Sequence, residues 1–171
     1  MRNNYKVRAK KFIAQLFPFI EMAFYTDNSE MKKRLLFSGV ERYCQYYSKR
    51  VVKSNRGISR VALITSDYVV KIDYNEDSGF GTSYDEVEAY EYAYENGYEE
   101  YFAEITEYYY EGFPFYIMPL VKHINENDYD VYEYLHGNAY DWISENFYDL
   151  HSGNYGWKDG HPVIFDYAAR Q

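Results

Sequence analysis

Asp149-Leu150-His151-Ser152-Gly153-Asn154-Tyr155-Gly156, followed by Pro162-Val163-Ile164-Phe165-Asp166-Tyr167, is the stretch on which the reading of this chain turns. Between its halves, Asp159-Gly160 is turn chemistry flanked by β-forming residues, so 155–158 and 163–165 are expected to pair as a small hairpin. Asp166 lies twelve positions beyond Asn154, across that hairpin, and Asp149 lies five before Asn154.

Working upstream, 105–110 and 115–120 flank Glu111-Gly112 and predict a second hairpin. A helix is expected over 83–96, closed by Gly97, after a loop that holds Gly79 and Gly81. Residues 59–65 and 68–74 are β-rich runs joined by Ser66-Asp67, a third hairpin. Further helical segments are expected near 129–135 and 139–146. The first 56 residues read as helices: Tyr5, Phe12, Ile13, Leu16, Phe19 and Ile20 recur near a helical period, with Pro18 a kink or break. Asp27-Asn28-Ser29 supplies N-cap chemistry for a second helix through Met31, Leu35, Leu36, Val40, Tyr43 and Tyr47, with Gly39 its weak point. The order is helices, two strands, helix, two strands, helices, polar loop, hairpin.

Two carboxylates and an amide around a hairpin suit phosphoryl transfer. Its transition state spreads negative charge over oxygens, so a protein mainly positions groups and holds cations. Magnesium prefers one or two carboxylates plus phosphates and water. A further carboxylate is then free to orient an attacking hydroxyl.

Asp149-Leu150-His151-Ser152-Gly153-Asn154 resembles the D-x-x-x-x-N catalytic loop of protein kinases, in the D-x-H-x-x-N form of aminoglycoside phosphotransferases and some phage-encoded kinases. Ile164-Phe165-Asp166-Tyr167 looks like the strand ending in the Asp-Phe-Gly metal motif, with Tyr167 and Ala168 in place of its Phe and Gly. The resemblance implies that Asp149 is the catalytic base, that Asn154 and Asp166 are Mg2+ ligands, and that His151 braces the loop. Val69-Val70-Lys71-Ile72 is similar to the V-A-I-K strand, whose lysine neutralises ATP phosphates. Its carboxylate partner would come from the next helix: Glu86, with an apolar stripe of Tyr90, Ala93 and Tyr94 on its face, or its rival Glu88. By the same resemblance 115–120 leads into the hinge, Met118, Pro119 and Leu120 lie against adenine, and Ile117 sits near the gatekeeper position.

The chain departs from the family in three places. Gly57-Ile58-Ser59-Arg60 offers one glycine where a glycine-rich loop has several, leaving Ser59 and Arg60 to contact phosphate in its stead. Five residues follow Asp166 in the sequence, so neither an activation segment nor substrate-platform helices are expected, and the N-terminal helices are expected to fill that space. Asn146-Phe147-Tyr148 precedes Asp149 where the family has His-Arg or His-Gly.

Composition bounds the rest. Residues 1–56 carry 13 Lys/Arg against 4 Asp/Glu, and 57–171 carry 5 against 23, so +9 and −18 sum to the net −9. The simpler reading is a basic segment packed on the acidic part of the same molecule; the other is a basic arm for an anionic partner. The 24 tyrosines bury large rings while keeping hydroxyls wet, and could clad a small, half-covered surface or imitate nucleic acid. A single cysteine, Cys44, excludes an internal disulfide and, with four scattered histidines, gives no support to a structural zinc site. No apolar run spans a bilayer and no signal peptide is visible, so the expected setting is a reducing cytoplasm without membrane.

The expected fold is α+β: a basic helical extension (1–56), a kinase-like small β lobe (57–120) and a truncated large-lobe segment (121–171). The expected function is an ATP- and Mg2+-dependent phosphotransferase, a minimal Ser/Thr protein kinase acting on a host protein in a phage setting. Nucleic acid is not the expected partner of the acidic part, and a partner or self-association is expected to supply missing substrate surface. The alternatives are an acidic, Tyr-rich binding or inhibitor protein on the same fold, a pseudokinase or nucleic-acid mimic, and a small-molecule phosphotransferase.

Overall fold

The computed structural model describes residues 4–54, 59–75, 81–124, 134, 135, 137, 139–147 and 152–167. Asp149, His151, Gly57, Ile58, Gly79 and most of the helix expected over 129–135 lie outside the described residues.

Among the described residues, two antiparallel sheets and the helices packed on them make a mixed α+β molecule. The chain opens with α1 (Asn4–Ile20), a 3₁₀ turn (Glu21–Tyr25) and α2 (Ser29–Tyr47). Asn28 caps α2, its side chain accepting from the Met31 amide at 2.8 Å. Pro18 does not break α1; the helix gives way to the 3₁₀ turn two residues later. Nor is Gly39 a weak point. A Cβ there would stand 2.3 Å from the Phe19 carbonyl oxygen and 2.6 Å from Ile20 Cγ2, so the missing side chain lets α2 close against the end of α1.

The main sheet has the order β1-β2-β3-β5-β4: β1 (Val52–Ser54), β2 (Arg60–Ile64), β3 (Tyr68–Asp73), β4 (Thr106–Tyr110) and β5 (Phe113–Pro119). α3 (Ser83–Glu95) connects β3 to β4. Two of the expected hairpins close as read, β2 on β3 and β4 on β5, the latter through Glu111 and Gly112, both at positive φ. β1 was not foreseen. It lies inside the segment read as wholly helical and pairs with β2, so the sheet begins before residue 57.

β3 is buried along its whole length because both faces of the sheet are covered. On one face, Val61, Leu63, Val70, Ile72, Phe115 and Ile117 pack against Phe12, Ile13, Leu16 and Tyr43 of α1 and α2. The N-terminal helices, expected to take the place of substrate-platform helices, line the back of the sheet. Charge follows the same seam: Lys6 pairs with Glu104 at 2.6 Å, Arg8 pairs with Asp67, and Lys10 lies 4.8 Å from the centre of the Tyr108 ring. These contacts belong to the simpler reading of the basic segment, and each exposed pair contributes only about 0–1 kcal/mol.

The other face carries Val69, Tyr116 and Met118 and looks onto α3, the turn at Glu99–Tyr101, α4 (Tyr140–Asn146) and a second sheet. That sheet has the order β6-β7-β8, from β6 (Lys122–His123), β7 (Tyr155–Lys158) and β8 (His161–Ile164). Its β7-β8 hairpin turns at Asp159 and Gly160, again with positive φ. Gly156 sits where a Cβ would overlap Val121 and the Lys122 carbonyl, which lets β6 lie close along β7. The Ala103 amide donates to the Ile164 carbonyl at 2.8 Å and ties the hairpin to the segment before β4.

Candidate active site

A strand alternates its side chains, so Val69, Lys71 and Asp73 leave β3 on the same face, towards α3 and the hairpin. Thr82 starts α3 with a capping box: its hydroxyl accepts from the Asp85 amide at 3.2 Å, and its own amide donates to the Asp85 carboxylate at 2.5 Å. A helix so anchored directs Glu86, in its first turn, back at the sheet. Glu86 is wholly buried, and Lys71 Nζ lies 2.8 and 2.6 Å from its two oxygens. Glu88 is exposed beside Tyr84, so it is Glu86 that meets the strand lysine. The buried stripe on α3 runs through Glu86, Ala89 and Ala93; Tyr94, expected on it, is exposed.

Arg60 stands opposite Asp73 in the β2-β3 register and reaches the Glu86 carboxylate that Lys71 holds. Its Nη2 lies 2.9 Å from Glu86 Oε1 and also pairs with Asp166 Oδ1, while Nη1 donates to the Gly81 carbonyl at 3.0 Å. Lys71 Nζ is 3.7 Å from the same Asp166 oxygen. Two cations, from β2 and β3, thus meet one buried and one half-exposed carboxylate drawn from distant parts of the chain.

Asp166 follows β8 with φ of 61°, a left-handed conformation that aspartate tolerates better than most residues. Tyr167 secures it from the other side: its ring is buried, and its hydroxyl donates to the Ala103 carbonyl at 2.5 Å. Asn154, also buried, comes to the same end of the hairpin, since the Phe165 amide donates to its carbonyl at 2.8 Å.

Burial sets the electrostatics. It pulls the Lys71 ammonium below its ordinary 10.5, with Glu86 opposing the shift and Arg60 adding to it. It raises the Asp73 carboxyl above 3.8, against the bonds that carboxyl accepts from the Ser83 amide (3.0 and 3.2 Å) and hydroxyl (2.6 Å). Burial also pushes the Tyr167 phenol well above 10, so it stays a donor.

Met118 is buried on the Lys71 face opposite Val69. Leu120 is exposed just past β5, and its amide donates to the Asp67 carbonyl at 3.1 Å. Ile117 does not face the site. It pairs with Val70 and points into the α1-α2 layer, because the β5 register puts Tyr116 opposite Lys71 and Ile117 one residue out of phase. Asp73, Ser83 and Tyr167 were missed as parts of the site. Period-two alternation from Lys71 was the available signal for Asp73; nothing local in the sequence announced the bond from Tyr167 to Ala103.

The oxygen donors suit a hard cation. Among the described residues no group of three or more His, Cys, Asp or Glu could hold a metal by itself, so Asp166 and Asn154 would supply a minority of the ligands. That is what magnesium requires when it keeps water and phosphate oxygens in its shell. No family model, no curated protein and no solved structure matches the chain, and the site's geometry carries the functional reading.

Proposed function

We propose that the chain is a phosphotransferase of protein-kinase-like design, moving the γ-phosphoryl group of ATP to a hydroxyl, with serine or threonine of a protein as acceptor. The observation that carries the proposal is the buried Lys71–Glu86 pair beside Asp166. An ammonium held bidentately by a buried carboxylate keeps one position and one charge, as binding a polyphosphate requires. A lysine serving only to reach solvent would have no use for a counter-ion 0% exposed.

In this reading Lys71 holds the α/β phosphates and Glu86 keeps its ammonium in place. Val69 and Met118 give the apolar surface for adenine on the same sheet face, with Leu120 at its rim. Asp166 and Asn154 would hold Mg2+, which when bound neutralises phosphate charge and leaves the γ-phosphorus open to attack. Asp149 would accept the proton of the acceptor hydroxyl as its oxygen bonds to the γ-phosphorus and the bond to ADP breaks. The cytoplasmic setting, the host-protein acceptor and the phage origin belong to the proposal. Among the described residues no helix is long and apolar enough to cross a membrane.

Incubation with γ-labelled ATP and magnesium tests the proposal, with wild type beside Lys71→Met, Asp149→Ala and Asp166→Asn. Label in the protein or in proteins of a cell extract, lost in all three variants, is the expected result. Absence of label, together with no magnesium-dependent thermal shift by ATP, overturns it in favour of an acidic, Tyr-rich binding protein. Exposed Tyr84, Tyr94 and Tyr109 would then be the surface to probe.

A further inference from the structure

Arg60 occupies the carboxylate on which the proposed metal site depends. Its side chain is 13% exposed, and its guanidinium is held from three sides, by Glu86, by Asp166 Oδ1 and by the Gly81 carbonyl. The same Asp166 oxygen has the Lys71 ammonium 3.7 Å away. A divalent ion arriving at that oxygen would meet two positive charges within a few ångströms, both on largely buried side chains, and like charges so close repel. Asp166 therefore cannot serve Arg60 and a metal at full strength together.

The guanidinium, however, has an alternative. It stands at the start of β2, next to the ammonium proposed to hold phosphate, and a planar fork of donors suits a phosphate as well as a carboxylate. Building on the phosphotransferase reading, we propose that Arg60 is a resident cation that holds Asp166 against a lone divalent ion and moves to an incoming polyphosphate, so that metal and nucleotide load together. Glu86 retains Lys71 throughout, because its two oxygens are both within 2.8 Å of that ammonium. The consequence is a site that stays shut to free metal and opens to the metal–triphosphate pair.

The experiment is titration of the full chain with Mn2+ alone, followed by the paramagnetic signal of the free ion, then with a non-hydrolysable ATP analogue present. Manganese takes the same oxygen donors as magnesium. Arg60→Gln is expected to tighten Mn2+ binding in the absence of nucleotide by about fivefold or more, in the ordinary range of coupling between two competitors. The analogue should shrink that advantage, and Asp166→Asn should remove binding in either background. If Arg60→Gln binds Mn2+ no better than wild type while Asp166→Asn loses it, the displacement idea is wrong and the metal site stands. If no variant binds Mn2+ with or without the analogue, the phosphotransferase reading falls as well. Should Arg60→Gln fail to fold, Arg60→Met removes the charge while keeping a long stem and should likewise bind Mn2+ more tightly than wild type in the absence of nucleotide. Wild-type affinity in that variant overturns the proposal.

Discussion

The Tyr167 hydroxyl donates to the Ala103 carbonyl at 2.5 Å, joining the residue after Asp166 to the segment that enters β4. The phenol is buried against Phe102 and stays protonated, so it can hold the left-handed turn at Asp166 in place. Replacing Tyr167 with Phe keeps the ring and leaves the Ala103 carbonyl without this donor, which costs about 1–3 kcal/mol. A melting temperature lower by several degrees is expected from thermal unfolding followed by circular dichroism. An unchanged melting temperature would show that the bond contributes nothing.

Glu86 faces two cations, Lys71 and Arg60, with no exposure of its own. Glu86→Gln leaves a buried ammonium without its counter-charge, and breaking such a pair from one side costs about 3–5 kcal/mol. Glu88, two residues on and exposed, is the internal control: Glu88→Gln should shift stability by about 0.5 kcal/mol or less. Chemical denaturation of both variants checks this, and equal losses would contradict the placement of Glu86.

Asp73 makes stability depend on pH in a specific sense. Its folded carboxyl is raised above 3.8, chiefly by burial, so the folded chain holds the proton more tightly than the unfolded one. The contribution is complete below 3.8 and declines as pH rises through the folded value. Asp73→Asn can still accept from the Ser83 amide and hydroxyl but does not titrate. Relative to this variant, wild type should be most stable in acid and lose ground as pH climbs above 3.8, levelling off once the carboxyl is ionised. Parallel curves of unfolding free energy against pH would refute the assignment.

Gly39 is where α2 meets the end of α1. Gly39→Ala would force a Cβ into the Phe19 carbonyl and Ile20, moving two helices that cover the back of the sheet. Helix propensity favours alanine by about 1 kcal/mol, but overpacking against backbone costs about 1–3 kcal/mol. A net loss of stability is expected in urea unfolding; a gain would mean that the helices have room to part.

Local chemistry determined much of this protein in advance. The Asp-Gly and Glu-Gly turns, the alternation through Lys71, the Asn28 cap and the helix after Thr82 are all legible as residues, because each depends on neighbours within a few positions. The candidate lysine, glutamate and aspartate were legible too, but only as separate signals. Tertiary structure decided which face each occupies: Ile117 went to the helical layer, Tyr116 took the place opposite Lys71, and the N-terminal helices went behind the sheet. It also decided that Arg60 and Asp166, 106 residues apart, share one oxygen contact. Sheet register and the docking of one layer on another set these outcomes, and both depend on burying whole apolar faces at once, which no single stretch of chain encodes.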